Sequence, residues 1–149
     1  MMYRRLLTSS VLLAGLVALS ACNTSPMASS QSGLSARLSG AQQVPANAST
    51  ATGTLAANLD RQTRLLTWTV NFTPMSGPAT AAHFHGPAAI GQNAGVSLPF
   101  SGSLDSPIRG SATLTEAQVA DLVNGRWYVN LHTAANPGGE LRGQVALNP

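Results

Sequence analysis

The chain has 149 residues with eight Arg, no Lys, five acids and a single Cys, and only 9% of its residues are charged. One cysteine rules out a disulfide framework, so the folded part must hold together by packing or by metal. Five acids leave few candidates for a catalytic carboxylate pair, and the absence of any basic cluster removes nucleic acid as an expected partner.

In chain order, residues 1–21 read as an export signal. Arg4 and Arg5 make a short positive start, an apolar stretch runs from Val11 to Leu19, and Leu19-Ser20-Ala21-Cys22 closes it. Such a stretch is too short for a transmembrane helix. The cysteine directly after Leu-Ser-Ala resembles a bacterial lipobox. That resemblance implies lipid attachment at Cys22, the membrane as a partner through that N-terminal lipid, and an extracytoplasmic place in the cell envelope. Once Arg4 and Arg5 leave with the signal, six arginines face five acids, a net of +1, so the sequence pI near 10.0 overstates the basicity. Residues 22–33, rich in Ser, Ala, Thr and Pro without periodicity, are expected to form a flexible tether. Residues 34–149 carry the single domain.

From Leu34 onward, short apolar runs alternate with Gly, Pro, Asn and Ser. The texture predicts an all-β fold, an antiparallel Greek-key-like sandwich or barrel of about eight strands with one short helix. The clearest strand is Leu65 to Thr73, where Leu66, Trp68, Val70 and Phe72 alternate with polar or outward positions. Gly53 to Leu59 has the same rhythm, and Asp60-Arg61-Gln62-Thr63 between the two fits a hairpin loop. Further strands are expected at Leu34 to Ser39, Thr80 to His85, Val96 to Phe100 and Gly110 to Leu114. Pro74 to Pro78 and Pro87 to Gly95 are loops by composition. Thr115 with Gln118 forms a capping box, Val119, Leu122 and Val123 make an apolar stripe, and Gly125 is placed to end that helix. Arg126 to Thr133 and Glu140 to Leu147 are the last two strands, joined through Asn136-Pro137-Gly138-Gly139.

All three histidines lie in two of these strands, in Ala82-His83-Phe84-His85-Gly86 and Tyr128-Val129-Asn130-Leu131-His132-Thr133. Residues two apart on a strand share a face, so His83 and His85 project side by side. Three imidazoles converging on one point suit a copper or zinc ion. For the last two strands, a core face of Val129, Leu131, Leu141 and Val145 puts Tyr128, Asn130 and His132 with Glu140, Arg142 and Gln144 on the opposite face. That register sets Asn130 near Arg142 and His132 near Glu140. It predicts that Glu140 orients His132, with Arg142 and Asn130 beside it.

Leu38-Ser39-Gly40-Ala41-Gln42-Gln43-Val44-Pro45, Ala51-Thr52-Gly53, Ala82-His83-Phe84-His85-Gly86-Pro87-Ala88, Tyr128-Val129-Asn130-Leu131-His132-Thr133 and Gly138-Gly139-Glu140-Leu141-Arg142-Gly143-Gln144 follow one another in the order and spacing of a CHRD domain. The resemblance covers the chain from about Arg37 to Val145. It implies an extracellular β-sandwich or barrel and little about activity. A looser resemblance to copper/zinc superoxide dismutase rests on the His-x-His strand and a late third histidine. The zinc loop and disulfide of that family have no counterpart here.

No nucleophile elbow, phosphate-binding glycine loop or dinucleotide fingerprint is present. Two function classes stay open. The first is a non-enzymatic envelope lipoprotein that binds copper or zinc through His83, His85 and His132. The second is an extracellular interaction or adhesion module with structural histidines and a protein partner that the sequence does not name. Copper redox chemistry is a third, enzymatic variant of the first.

Overall fold

The computed structural model describes residues 30–149, so the segment expected to be an export signal and Cys22, the expected lipidation position, lie outside the described residues. Nine strands and one α-helix follow in the order β1 (Gln31–Ser39), β2 (Thr52–Asp60), β3 (Leu65–Phe72), β4 (Ala79–His85), β5 (Val96–Pro99), β6 (Ile108–Thr113), α1 (Glu116–Val123), β7 (Tyr128–Thr133), β8 (Leu141–Gln144) and β9 (Ala146–Leu147). They form one antiparallel sheet in the order β5-β4-β7-β8-β1-β2-β3-β6, with β9 also pairing β1, curled into a half-barrel. The all-β architecture expected from the alternating runs is therefore present, as a single curled sheet rather than two facing ones.

Alternation decides what the curl encloses. Leu55 and Leu59 of β2, Leu66, Trp68 and Val70 of β3, and Phe84 of β4 all point inward and are buried. Trp68 packs edge-on against Phe84 with ring centroids 5.4 Å apart, and Trp127 lies 5.7 Å from the same ring. These aromatics fill the core, as their strand positions suggested. Helix α1 begins at the predicted capping box. Gln118 donates its backbone N–H to the Thr115 hydroxyl, and Thr115 N–H donates to the Gln118 side-chain oxygen. Leu122 is buried in the core, with Val119 and Val123 packed against it.

Most strand boundaries lie within one or two residues of the sequence expectation, and two departures are larger. Strand β1 starts at Gln31, three residues inside the segment expected to be a tether, because Gln31, Ser32 and Gly33 pair with Asp60, Leu59 and Asn58. Backbone pairing of this kind leaves no apolar signature. The last strand is broken at Val145, whose buried side chain and N–H bond to the Trp127 carbonyl (2.9 Å) divide β8 from β9.

Where β8 crosses β1, the sheet requires glycine. A Cβ on Gly143 would run into the Arg37 carbonyl, which belongs to a paired strand and cannot move aside. Gly143→Ala should cost about 2 kcal/mol or more, read as a lowered urea midpoint, in line with overpacking of a close contact. Gly138→Ala, with open space around it, should leave the midpoint within error. Equal midpoints for the two variants would show that the β1–β8 contact is looser than described.

Candidate metal centre

The central strands β4, β7 and β8 present two different faces. Inward go Ala82, Phe84, Val129, Leu131 and Leu141, all buried in the core. Outward go His83 and His85 from β4, Tyr128, Asn130 and His132 from β7, and Arg142 from β8. The register sets His83 against Asn130, His85 against Tyr128, and Asn130 against Arg142. Loops close over this outer face so that Tyr128, Asn130 and Arg142 are almost fully buried while the three histidines stay partly buried.

The histidines converge. Their ring centroids are 5.4 Å (His83–His85), 5.1 Å (His83–His132) and 6.2 Å (His85–His132) apart. One ring nitrogen from each lies within 4.8 Å of the others, so the group could hold a metal ion. The orientation of two rings is fixed from outside. His132 Nδ1 is 2.9 Å from the Pro137 carbonyl and His85 Nδ1 is 3.0 Å from the Ala94 carbonyl. A carbonyl only accepts, so each Nδ1 carries the proton and each Nε2 presents its lone pair. Metal-bound histidines are commonly oriented by this kind of bond. His85 Nε2 is buried and has no hydrogen-bond partner. His83 Nδ1 lies 3.3 Å from His132 Nε2, close to the roughly 3.3 Å edge of a tetrahedron built on metal–nitrogen bonds of about 2.05 Å.

Electrostatics favour the neutral form of His83 and His85. Burial holds the His83 imidazole below its usual value, helped by His132 and His85. Burial does the same for His85, with the Ala94 carbonyl pulling the other way and His132 and Arg142 adding to the decrease. Neutral imidazole is the form that coordinates a cation.

The other expected site residues divide. Arg142 is on the histidine face, but its hydrogen bonds go to the loop at Gln92 and Asn93 and not to a histidine. Its guanidinium carbon sits 3.6 Å from the centroid of the Tyr128 ring, and that ring stacks on His85 at 4.9 Å. Its amino groups donate to the Asn93 side chain (2.8 Å) and the Gln92 carbonyl (2.6 Å). Arg142 thus pins the loop whose Ala94 carbonyl orients His85. Tyr128 pins the same residue, its hydroxyl lying 3.2 Å from both the N–H and the carbonyl of Ala94. Asn130 accepts from Gln43 at 2.6 Å. This explains why a glutamine far away in sequence is buried.

Glu140 corrects the expectation. Its carboxylate does not reach His132 and makes no ion pair with Arg142. It is turned to the inner side, fully buried, where it accepts from Ser49 (2.8 Å), the Ser76 N–H (2.9 Å), Thr133 (2.7 Å) and Asn136 (3.0 Å), and also from the Ser76 hydroxyl. The reason is local. Gly139 has φ 123° and β8 begins only at Leu141, so strand alternation does not extend to residue 140. Burial alone would raise the Glu140 pKa, but the donors from Ser76, Thr133 and Ser49 outweigh it and bring it down to about 2. Ser49 and Ser76 gave no signal as site residues, because their partners are remote in sequence, whereas strand parity had already placed Tyr128 on the histidine face.

A curled half-barrel sheet with three histidines grouped on its outer face defines an all-β module with a candidate metal centre. Residues 34–145 match the CHRD domain family, and the chain belongs to it. No curated protein and no solved structure matches the chain.

Proposed function

We propose that this protein is a lipid-anchored envelope protein whose CHRD domain binds a transition metal, copper or zinc, through His83, His85 and His132. The observation that carries this reading is the buried, partnerless Nε2 of His85 in a group of three histidines whose ligand nitrogens lie within 4.8 Å of one another, with the Nδ1 atoms of His85 and His132 tied to backbone carbonyls. A buried acceptor left unmade is costly, and a cation relieves it. All three ligands are neutral nitrogens, which suits Cu²⁺ and Zn²⁺ better than the oxygen-seeking Ca²⁺ or Mg²⁺. Metal analysis of protein purified without an affinity tag tests the reading. It should find close to one equivalent of copper or zinc, and a metal-free protein that also fails to take up either ion in solution rejects it.

The alternative, an interaction module with structural histidines, is favoured by one fact. His83 and His132 are near enough to bond one another without a metal.

The anchor rests on Leu19-Ser20-Ala21-Cys22 after the apolar run. Cys22→Ser should move the protein from the membrane fraction to the soluble one. Durable attachment needs more than one acyl chain, as lipoproteins of this kind are expected to carry. A mutant that stays membrane-bound and is processed as before would remove the anchor from the proposal.

A further inference from the structure

Resting on the metal reading above, we infer that the centre keeps one coordination position open and that this position takes a small exogenous anion. Four-coordinate sites need a fourth ligand beside the three imidazoles. Among the described residues, no carboxylate or thiol joins the histidine group. The carboxylate expected there, Glu140, is turned away and saturated by five donors. The neutral oxygens on the same face are engaged as well. Asn130 Oδ1 accepts from Gln43 at 2.6 Å, and the Tyr128 hydroxyl is held by Ala94.

Two features then select the occupant. The three histidine side chains are only partly buried, so their face of the sheet is not sealed from small solutes even though the His85 Nε2 itself is buried. The charge is uncompensated, because a divalent ion on three neutral imidazoles keeps its full +2. The charged side chain on this face is another cation, Arg142, set against the Tyr128 ring that stacks on His85. A centre of this kind binds water first and exchanges it for an anion, hydroxide or a small inorganic one, with the water leaving as the anion arrives. No protein bond is made or broken.

Azide is the probe. The mature domain is loaded with one equivalent of Cu²⁺ and titrated with sodium azide under absorption and electron paramagnetic resonance. The expected result is a new azide-to-copper charge-transfer band that saturates at one azide per copper, with a matching change in the copper spectrum. Copper bound one-to-one with no spectral response to azide overturns the inference while leaving the metal site standing. Failure to bind copper at all rejects the metal reading itself, and the inference with it. Ala81→Glu gives a second arm, because Ala81 pairs with His132 and shares the outer face with His83, two residues on. A carboxylate there should fill the vacant position, keep the copper and weaken azide binding about tenfold or more. Unchanged azide affinity in a copper-loaded Ala81→Glu variant would overturn the assignment of the open position to this face.

Discussion

Glu140→Ala is expected to destabilise the domain by about 3 kcal/mol or more, a drop of roughly 10 °C in Tm. The carboxylate is fully buried with no cation against it, and it is held entirely by neutral donors from four residues. Alanine would leave those donors facing a cavity. The same site fixes the sign of a pH effect. The Glu140 pKa falls from 4.5 to about 2 on folding, so the folded state binds the charged form more strongly. That stabilisation is complete above about pH 4.5 and is lost as the pH falls towards 2. A shift of this size corresponds to about 3 kcal/mol. Glu140→Gln keeps an acceptor oxygen but cannot titrate, so the gap between wild type and variant should close across that window. Chemical denaturation at a series of pH values checks it. Parallel curves for the two proteins from pH 5 to 2 would mean that Glu140 is not the group responsible.

The second large effect concerns the histidines. His132→Ala should weaken Cu²⁺ or Zn²⁺ binding on the order of 100-fold or more, since it removes one of three ligands from a site with no replacement close by. Ligand binding to the folded state raises stability by about 2.7 kcal/mol at a hundred times Kd, so wild type should show a clear metal-induced rise in Tm. The variant should show almost none at the same metal concentration. Binding should also weaken in acid, because protons compete for the same nitrogens. Burial keeps His83 and His85 neutral to lower pH than free imidazole, so this competition should set in below the ordinary histidine range. A metal-induced rise in Tm that survives His132→Ala would place the ion elsewhere.

Much of this was legible in the sequence because strand parity is a strong signal. The alternation of Leu66, Trp68 and Val70 put β3 on the core, and Thr115 with Gln118 located the helix start. Polarity on β7 and β8 was enough to pair Asn130 with Arg142. The signal fails where the chain leaves regular geometry. Gly139 at positive φ releases Glu140 from the alternation, so a charge expected on the outer face lies on the inner one. Ser49 and Ser76, which hold that charge, are serines in irregular segments that nothing local distinguishes from solvated ones. The clamp of Arg142 and Tyr128 on Gln92 to Ala94 joins segments about 35 to 50 residues apart in sequence, and periodicity carries no information at that range.

The division of β4 and β7 into an inner and an outer face also bears on how the family can vary. On β4 the order Ala82, His83, Phe84, His85 interleaves packing and ligand positions residue by residue, as does Val129, Asn130, Leu131, His132 on β7. Substitution can change either set separately. Insertion or deletion of one residue inside either strand cannot, because it swaps the two sets, turning imidazoles into the core and Phe84 or Leu131 out to the loops. Length changes in this protein should therefore be confined to the turns, with the spacing inside both histidine strands held fixed even where their side chains drift.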